Sequence, residues 1–295
     1  MKFERVPISE TNLGLTNCDA YGLISGGDDR PEKMIRWWNK QIQRADHLAE
    51  QSEGARDLLL FCGQLLRAQK NVYELLHARN SSPLSGNLET DLPVIAEALP
   101  SFLRVVEECG PELLAAEAIS LANESATVIH DLFMNYWRRP SDIQFFPKAF
   151  LQPYGRWLVE VGMRPIGREL AGCERCCPFC GGNPQVSYLQ SKEPSAESGK
   201  RDLLCATCLS TWEFRRVVCA HCSEERPAKL GYFHSPEFDH IRIEACDTCK
   251  HYIKGIDLTR LGLAAPLVDE IYGAPLDLWA REHGYTKIEL NLVGL

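Results

Sequence analysis

The chain has 295 residues and a formal net charge of −8, and 45% of its residues are hydrophobic and 24% charged. This balance is typical of a folded globular protein and excludes a disordered or collagen-like chain. No stretch approaches the ~20 apolar residues that a membrane-spanning helix needs, so we expect no membrane insertion. The start lacks the apolar core of a signal peptide, and the 13 cysteines are concentrated in metal-type spacing. Both features favour a reducing, cytoplasmic location.

Apolar residues recur at helical spacing through the first half of the chain and predict an all-α domain of about five helices. Pro31 and Glu32 suit the first turn of the first helix. We expect a kink near Pro100, because a proline inside a helix removes one backbone hydrogen bond. The predicted helices cover residues 31–49, 55–79, 93–109, 113–137 and 146–161.

Three cysteines and two histidines of this helical domain have no companion at metal-ligand spacing. We interpret Cys18, Cys62 and Cys109 as small packing residues or inert thiols. We interpret His77 and His130 as ordinary core or surface histidines. We expect no catalytic residues in the chain, because no Ser/His/Asp set, carboxylate pair or phosphate-binding loop is recognisable in it.

Four Cys-x-x-Cys pairs follow a linker-like segment at residues 162–168. The intervals between the pairs are 24, 10 and 23 residues, so the first pair groups with the second and the third with the fourth. Two such turns supply the four sulfurs of a tetrahedral metal site. The predicted ligands are Cys177, Cys180, Cys205 and Cys208 in the first site and Cys219, Cys222, Cys246 and Cys249 in the second.

Iron and zinc both accept four thiolates, so the spacing does not choose between them. Closed four-sulfur sites are normally structural, and we favour that role over redox or sulfur-handling chemistry. A fifth pair, Cys173 and Cys176, has no glycine behind it, and we interpret its members as free thiols outside the sites. His221 could replace a cysteine as a ligand, but four cysteines are already available for each site.

The two cysteine blocks read as a tandem repeat, because Arg201-Asp-Leu-Leu-Cys205 corresponds to Arg242-Ile-Glu-Ala-Cys246. The expected strands cover 186–189, 203–204, 212–218, 231–233 and 241–243. Helical stretches are expected at 258–271 and 276–283. The fold class is therefore multi-domain α+β, with an N-terminal helical domain, two rubredoxin-like or zinc-ribbon-like modules and a helical tail that packs back on the protein. The expected boundaries are 1–165, 166–215, 216–256 and 257–295.

The residues around the cysteines resemble the formate dehydrogenase accessory protein family, FdhE. The resemblance lies in three segments: Cys177-Pro-x-Cys180-Gly181 with Gly199-x-Arg201-x-Leu-x-Cys205-x-x-Cys208, Trp212 and Arg216; Cys219-x-His221-Cys222 with Arg242-x-Glu244-x-Cys246-x-x-Cys249 and Tyr252-Ile-Lys254; and Leu276-Asp277-x-x-Ala280-x-x-x-Gly284-Tyr285 with Asn291-Leu292. In the helical domain it rests mainly on Leu66-Arg-Ala-Gln69. Cys173 and Cys176 depart from the family pattern.

The resemblance implies an assembly factor and not an enzyme. Members of the family have rubredoxin-like, iron-associated metal knuckles and are needed for active respiratory formate dehydrogenase, whose molybdenum or tungsten pterin subunit they contact in the cytoplasm before export. Two alternatives are an iron electron carrier like rubredoxin and a nucleic-acid-binding zinc-ribbon regulator. Nucleic-acid binding is disfavoured, because residues 164–260 carry 14 basic against 13 acidic side chains and no basic face. The sequence does not determine the oligomeric state, which could be a homodimer.

Overall fold

The computed structural model describes residues 4–6, 30–78, 84–166, 174–190 and 200–295. A helical N-terminal region precedes a β-sheet that carries the paired cysteines, and two short helices lie near the C-terminus. The expected α+β class is confirmed. Cys18, Cys173 and the end of the predicted linker lie outside the described residues. Within them, no helix has both the length and the apolar composition needed to cross a membrane.

Seven helices form the described part of the N-terminal region. They are α1 (Arg30–Gln51), α2 (Arg56–Ala78), α3 (Leu88–Ile95), α4 (Leu99–Cys109), α5 (Glu112–Ala122), α6 (Ala126–Arg138) and α7 (Phe145–Glu160). The predictions for α1, α2 and α7 agree with these bounds to within about two residues. The other two predicted helices are each divided in the structure, and each division has a local cause.

The helix predicted over 93–109 is replaced by α3 and α4. Asn87 starts α3 earlier than predicted, because its side-chain oxygen accepts a hydrogen bond of 3.1 Å from the Glu89 amide. A short 3-10 turn at residues 96–98 separates the two helices. Pro100 lies in the first turn of α4, where a backbone N–H has no helical partner, so it begins a helix and does not kink one.

The helix predicted over 113–137 is likewise two helices, α5 and α6. Residues 123–125 interrupt it, and the hydroxyl of Ser125 accepts a hydrogen bond of 3.3 Å from the Val128 amide at the start of α6. Serine at this position satisfies one of the amides that a helix start leaves without a partner. Apolar residues keep their helical spacing on both sides of residues 123–125, so the sequence does not reveal the break.

All described strands belong to one sheet. They are β1 (Glu4–Val6), β2 (Pro184–Gln190), β3 (Lys200–Cys205), β4 (Thr211–Glu213), β5 (Leu230–His234), β6 (Ile241–Cys246), β7 (His251–Asp257) and β8 (Thr286–Lys287). The order is β1-β5-β6-β7-β2-β3-β4, with β8 beside β7. The strand predicted over 212–218 ends at Glu213, and β1, β7 and β8 were not predicted.

The two cysteine blocks follow the same order of elements, as the repeat predicts. Each begins with a Cys-x-x-Cys turn, continues through two antiparallel strands and returns to a second turn and a further strand. The blocks meet where β2 runs parallel to β7, with Val186 opposite Lys254 and Leu189 opposite Asp257. The first and second blocks therefore share a continuous sheet.

The C-terminal segment packs on both the helices and the sheet. It contains α8 (Pro266–Tyr272) and α9 (Ala274–Glu282), so the helix predicted over 258–271 begins eight residues later than expected. One apolar core includes Trp38 of α1, Tyr73 of α2, Val186 of β2, Ile243 of β6 and Val268 of α8. The Arg44 guanidinium adds a bidentate ion pair to the buried Asp269 carboxylate, at 2.6 to 3.2 Å.

Candidate metal centres

Each of the four Cys-x-x-Cys pairs forms the same backbone turn. The amide of the residue after the second cysteine donates to the carbonyl of the first, at 2.8 to 3.2 Å. That residue has a positive φ in every case: Gly181 (72°), Leu209 (53°), Ser223 (61°) and Lys250 (58°). A left-handed conformation costs a non-glycine residue roughly 1–2 kcal/mol. Three of the four turns therefore carry strain that the folded site must offset.

The first four-sulfur group consists of Cys177, Cys180, Cys205 and Cys208. Their Sγ atoms all lie within 4.8 Å of one another, and the four residues are at most 2% exposed. The backbone fits closely around the sulfurs, because a Cβ added at Gly182 would lie only 2.9 Å from Cys205 Sγ. The grouping agrees with the predicted pairing of the first turn with the second.

The second group consists of Cys219, Cys222, Cys246 and Cys249, whose Sγ atoms also lie within 4.8 Å of one another. Cys219 Sγ accepts hydrogen bonds from the amides of His221 at 3.3 Å and Cys222 at 3.4 Å. Cys222 and Cys249 are half-buried, so this group is more accessible than the first.

The sulfur spacing fits a tetrahedral ion. With metal–sulfur bonds of about 2.3 Å, the sulfurs of a tetrahedral site are about 3.8 Å apart. In the first group the Cys180–Cys205 and Cys177–Cys208 sulfurs are 3.5 and 3.6 Å apart. In the second group the Cys219–Cys249 and Cys222–Cys246 sulfurs are both 3.7 Å apart. Each group could therefore hold one metal ion, and iron and zinc both fit such a donor set.

Metal binding at these sulfurs would be linked to the release of protons. Burial raises the pKa of the Cys205 and Cys208 thiols well above the ordinary value, and it raises the pKa of Cys219 to about 11. Hydrogen bonds from Cys180 and the other neighbouring thiols lower the pKa of Cys177. Without a cation, Cys205, Cys208 and Cys219 would stay protonated at neutral pH, whereas a bound cation would stabilise their thiolates.

Ser210 is a hydrogen-bonding neighbour of the first group that the sequence did not reveal. Its Oγ lies 3.1 Å from Cys177 Sγ and 3.0 Å from Cys208 Sγ. A hydroxyl beside two sulfurs can donate to one of them and fix its orientation. The amide of Thr207 also donates to Cys205 Sγ, at 3.3 Å.

Helix α7 supports the second turn of the first group. Gln152 Nε2 donates to the Ala206 carbonyl at 2.7 Å, and Arg156 Nη1 donates to the Leu209 carbonyl at 3.0 Å. Gly155 lies against the same turn, where an added Cβ would be 3.1 Å from both Cα and Cβ of Cys208. The helical region thus supports the turn that carries Cys205 and Cys208.

A buried cluster of charges links the two cysteine blocks. Arg201 of β3 donates to Glu244 of β6 at 2.5 Å, and Arg242 donates to the other carboxylate oxygen at 2.6 and 2.9 Å. Arg201 also donates to the carbonyls of Arg215 and Val218. Burial opposes ionisation of Glu244, but the two guanidinium groups outweigh it and hold its pKa at about 2.

A second buried cluster fixes the C-terminal segment beside β7. Lys254 and Lys287 pair with the carboxylates of Glu270 and Asp277, and all four side chains are at most 1% exposed. Asn291 Nδ2 donates to the Glu270 carboxylate at 2.7 Å. Two cations and two anions balance, as buried charges require.

The cysteines outside the two groups occupy varied positions. Cys62 is buried and Cys109 is exposed, and the described residues place no other cysteine beside them. Burial raises the pKa of Cys62 to about 12, as an inert packing thiol requires. Cys176 is disulfide-bonded, so its interpretation as a free thiol was wrong.

Two histidines lie beside the second four-sulfur group, where the sequence predicts only cysteine ligands. His221 is not among the predicted ligands, because its block already has four cysteines, but it lies with His251 and Cys249 in a further cluster of potential ligands. His251 was not recognised in the sequence. His77 of α2 packs beside Tyr73, with Nε2 2.6 Å from the Tyr73 hydroxyl, and His130 lies beside Asp131.

Comparison with known proteins connects this arrangement to one family. Residues 217–293 match the family model described as "FdhE, C-terminal domain". A "Protein FdhE homolog" of Aquifex aeolicus is 42% identical over 152 residues, 52% of each chain. One from Haemophilus influenzae is 24% identical over 269 residues, covering 86% of this chain and 87% of the relative. The chain spans 52% of the length of the Aquifex relative and 62% of one from Shewanella oneidensis.

The crystal structure of the FdhE protein from Pseudomonas aeruginosa has the same fold. It superposes with a TM-score of 0.63 at 21% sequence identity, over 88% of this chain and 95% of that one. The superposition extends the similarity beyond the cysteine blocks to the helical region, where the sequence resemblance was weakest. The resemblance to the FdhE family is confirmed by the match of residues 217–293 to the FdhE C-terminal domain model and by the similar relatives, and the crystal structure shows that the fold is shared.

Proposed function

We propose that this protein is an accessory factor required for the formation of active respiratory formate dehydrogenase, and that it catalyses no reaction itself. The observation that carries the proposal is the match of residues 217–293 to the FdhE C-terminal domain, in a chain with the FdhE fold. In the proposed role, the protein binds the catalytic subunit of the dehydrogenase in the cytoplasm during its maturation.

The metal ions in this proposal are structural. We assign one iron or zinc ion to Cys177, Cys180, Cys205 and Cys208 and a second to Cys219, Cys222, Cys246 and Cys249. The fit of the sulfur spacing to a tetrahedral ion supports the assignment. Coordination would contribute folding free energy to short strands that bury little apolar surface by themselves.

We place the docking site for the client subunit on α5 and α6, because both helices expose large apolar side chains. Leu113, Ile119 and Val128 are large apolar side chains that are 85%, 48% and 47% exposed. Within α5, the described residues leave only Ala118 fully buried, although the helix is rich in leucine and alanine. Exposed apolar side chains of this kind often mark interaction surfaces.

The negative charge of this surface indicates which kind of client segment it would bind. Between Arg104 and Arg138 the chain has no lysine or arginine, and its six carboxylates are Glu107, Glu108, Glu112, Glu117, Glu124 and Asp131. All six are exposed. A partner with complementary charge would be attracted to this surface. The segment that we propose is therefore a basic amphipathic stretch of the catalytic subunit.

Deletion of the gene tests the proposed role. We expect the deletion strain to lose formate oxidation while it still synthesises the catalytic subunit, because only maturation would fail. Formate-dependent dye reduction and immunoblotting of the subunit measure the two quantities. Normal formate oxidation in the deletion strain would contradict the proposal.

Charge reversal tests the docking surface separately. The triple substitution Glu112→Lys, Glu117→Lys and Glu124→Lys should reduce copurification of the catalytic subunit by at least tenfold, because it replaces attraction by repulsion. The matched control is Glu50→Lys with Glu53→Lys, which reverses exposed carboxylates elsewhere on the helical region. Equal capture of the subunit by both variants would rule out this surface.

A rubredoxin-like electron carrier is the second candidate. The partial exposure of Cys222 and Cys249 favours it, since an ion in the second group would lie close to the surface. A reversible one-electron wave from the purified protein would support this function. Zinc in both groups would exclude it, because zinc has no accessible second oxidation state.

A further inference from the structure

We propose a third cation site beside the second four-sulfur group, formed by His221, His251 and Cys249. One ring nitrogen of each histidine and the Cys249 sulfur lie within 4.8 Å of one another. All three residues are partly exposed, so the cluster lies close to the surface. His221 lies in the first turn of the second block and His251 begins β7, so the site forms only when that block is folded.

The hydrogen bonds of the two histidines suit metal binding. His251 Nδ1 lies 2.8 Å from the Cys249 carbonyl, and it must carry the proton because a carbonyl can only accept. This leaves the lone pair of Nε2 free in the neutral ring, which is the arrangement that metal-binding histidines commonly have. His221 Nδ1 is buried and has no hydrogen-bond partner within the described part of the chain.

Buried polar atoms are normally paired, so the unpaired nitrogen of His221 requires an explanation. The simplest explanation is that the position of the His221 ring is set by packing alone. The two imidazoles stack with their centroids 3.7 Å apart and an angle of 10° between their planes. Stacking leaves that nitrogen unsatisfied, however, whereas a coordinated cation would satisfy it. A shared ion must lie near the plane of each ring, so binding would tilt the rings away from their parallel stack.

The donor set determines the class of ion. Two imidazole nitrogens and one thiolate suit a borderline divalent cation such as Zn²⁺ and disfavour Mg²⁺ or Ca²⁺. The Cys249 thiolate would bridge this ion and the one in the second four-sulfur site. Three protein ligands leave one tetrahedral position open, so the third ion could accept a further ligand from water or from a bound protein.

Charges near the site do not prevent binding. An ion bound by four thiolates carries a net negative charge, which attracts another cation to the bridging sulfur. The nearby Lys250 is paired with Asp247 at 2.7 Å. Arg175 donates a hydrogen bond to the His221 carbonyl, and its positive charge partly opposes this attraction.

Metal stoichiometry tests the third site. The full-length protein is purified with its resident metals, analysed, and then dialysed against increasing Zn²⁺ with total metal measured by mass spectrometry. We expect the wild type to bind one additional equivalent and His221→Gln with His251→Gln to lose it while keeping the resident metals. Glutamine approximates the size of histidine and preserves partial hydrogen bonding. The control, His130→Ala, removes a histidine on α6 and should behave as the wild type.

Nuclear magnetic resonance of selectively ¹⁵N-labelled histidine provides a second readout. The additional equivalent should shift the ring nitrogens of His221 and His251 and leave those of His130 unchanged. The third site is overturned if the wild type takes up no further Zn²⁺, or if the double variant takes up as much as the wild type. Fewer than two resident ions before the titration would instead contradict the proposed four-sulfur ligand sets, so the two proposals can fail separately.

Discussion

At the scale of single residues, the sequence predicts which cysteine sulfurs come together better than it predicts the residues around them. The cysteine spacing alone predicts which four cysteines meet, because each Cys-x-x-Cys turn is local and the intervals alternate. The neighbours of the sulfurs are harder to predict. Ser210 and His251 have no spacing signal, and Leu209, Ser223 and Lys250 adopt a conformation that the sequence would assign to glycine.

Several residues that carry the family resemblance are structural and not ligands. Arg201, Arg242 and Glu244 form one buried ionic cluster, and Lys254 and Asp277 belong to the other. These partners can be as far apart as 43 positions in the chain, as in the Arg201–Glu244 pair. Periodicity and spacing describe only local relations, so the pairing could not be predicted from the sequence.

The Glu244 carboxylate gives a prediction of pH dependence. Its pKa is about 2 in the folded protein against an ordinary value of 4.5, so its ionisation stabilises the fold above about pH 4.5 and the contribution is lost as the pH falls toward 2. Glu244→Gln should therefore unfold more easily than the wild type at pH 7, by about 3 kcal/mol. The difference should shrink between pH 4.5 and 2.

Chemical denaturation of both proteins across this pH range measures the difference in unfolding free energy. Loss of metal in acid affects both proteins, so comparing them reduces its contribution. The exposed carboxylate of Glu237 is the control, and Glu237→Gln should match the wild type throughout. A Glu244→Gln difference that stays constant from pH 7 to pH 2 would contradict the account of this cluster.

At the scale of elements, long apolar periodicity predicts helices well and misses the breaks within them. Helices α1, α2 and α7 were predicted closely, whereas the starts of α3 and α6 depend on single capping side chains, Asn87 and Ser125. Strand β7 was missed because five consecutive residues, 252–256, are buried and show no alternation. A central strand that is buried on both faces has no polar side to reveal it.

The contact between α7 and the first cysteine group gives a prediction at this scale. Gly155→Ala should destabilise the protein, and Gly155→Val should do so further, by about 1–3 kcal/mol, because the added atoms press against Cys208. Gly155→Val should also speed the release of one metal ion to a chelator while the other is retained as in the wild type. Thermal unfolding and a colorimetric chelation assay measure the two effects.

Gly54 provides the matched control for this substitution. An added Cβ at Gly54 would meet nothing within 4 Å, so Gly54→Ala should change neither the melting temperature appreciably nor the rate of metal release. If Gly155→Val lowers stability but accelerates the release of both ions equally, α7 would not support the first group specifically.

At the scale of the whole molecule, polar contacts tie the helical region to the cysteine blocks and the C-terminal segment. Gln152 bonds to Ala206, Arg44 to Asp269, and the buried Lys148 to Glu289 at 2.7 Å and the Leu290 carbonyl at 2.6 Å. Composition and motifs predicted that the tail packs back, but not which charges hold it. Contacts between residues so far apart in the chain can be identified only once the fold is known.

The central claim is that eight sulfurs are divided into two separate four-sulfur metal sites. Metal analysis of the protein purified without added metals, with an absorption spectrum of the same sample to distinguish iron from zinc, tests it most directly. We predict two ions per chain in the wild type, one in Cys180→Ser, and two in Cys109→Ser, which alters an exposed thiol outside both groups. A wild type with fewer than two ions, or a Cys180→Ser variant that keeps both, would contradict the account.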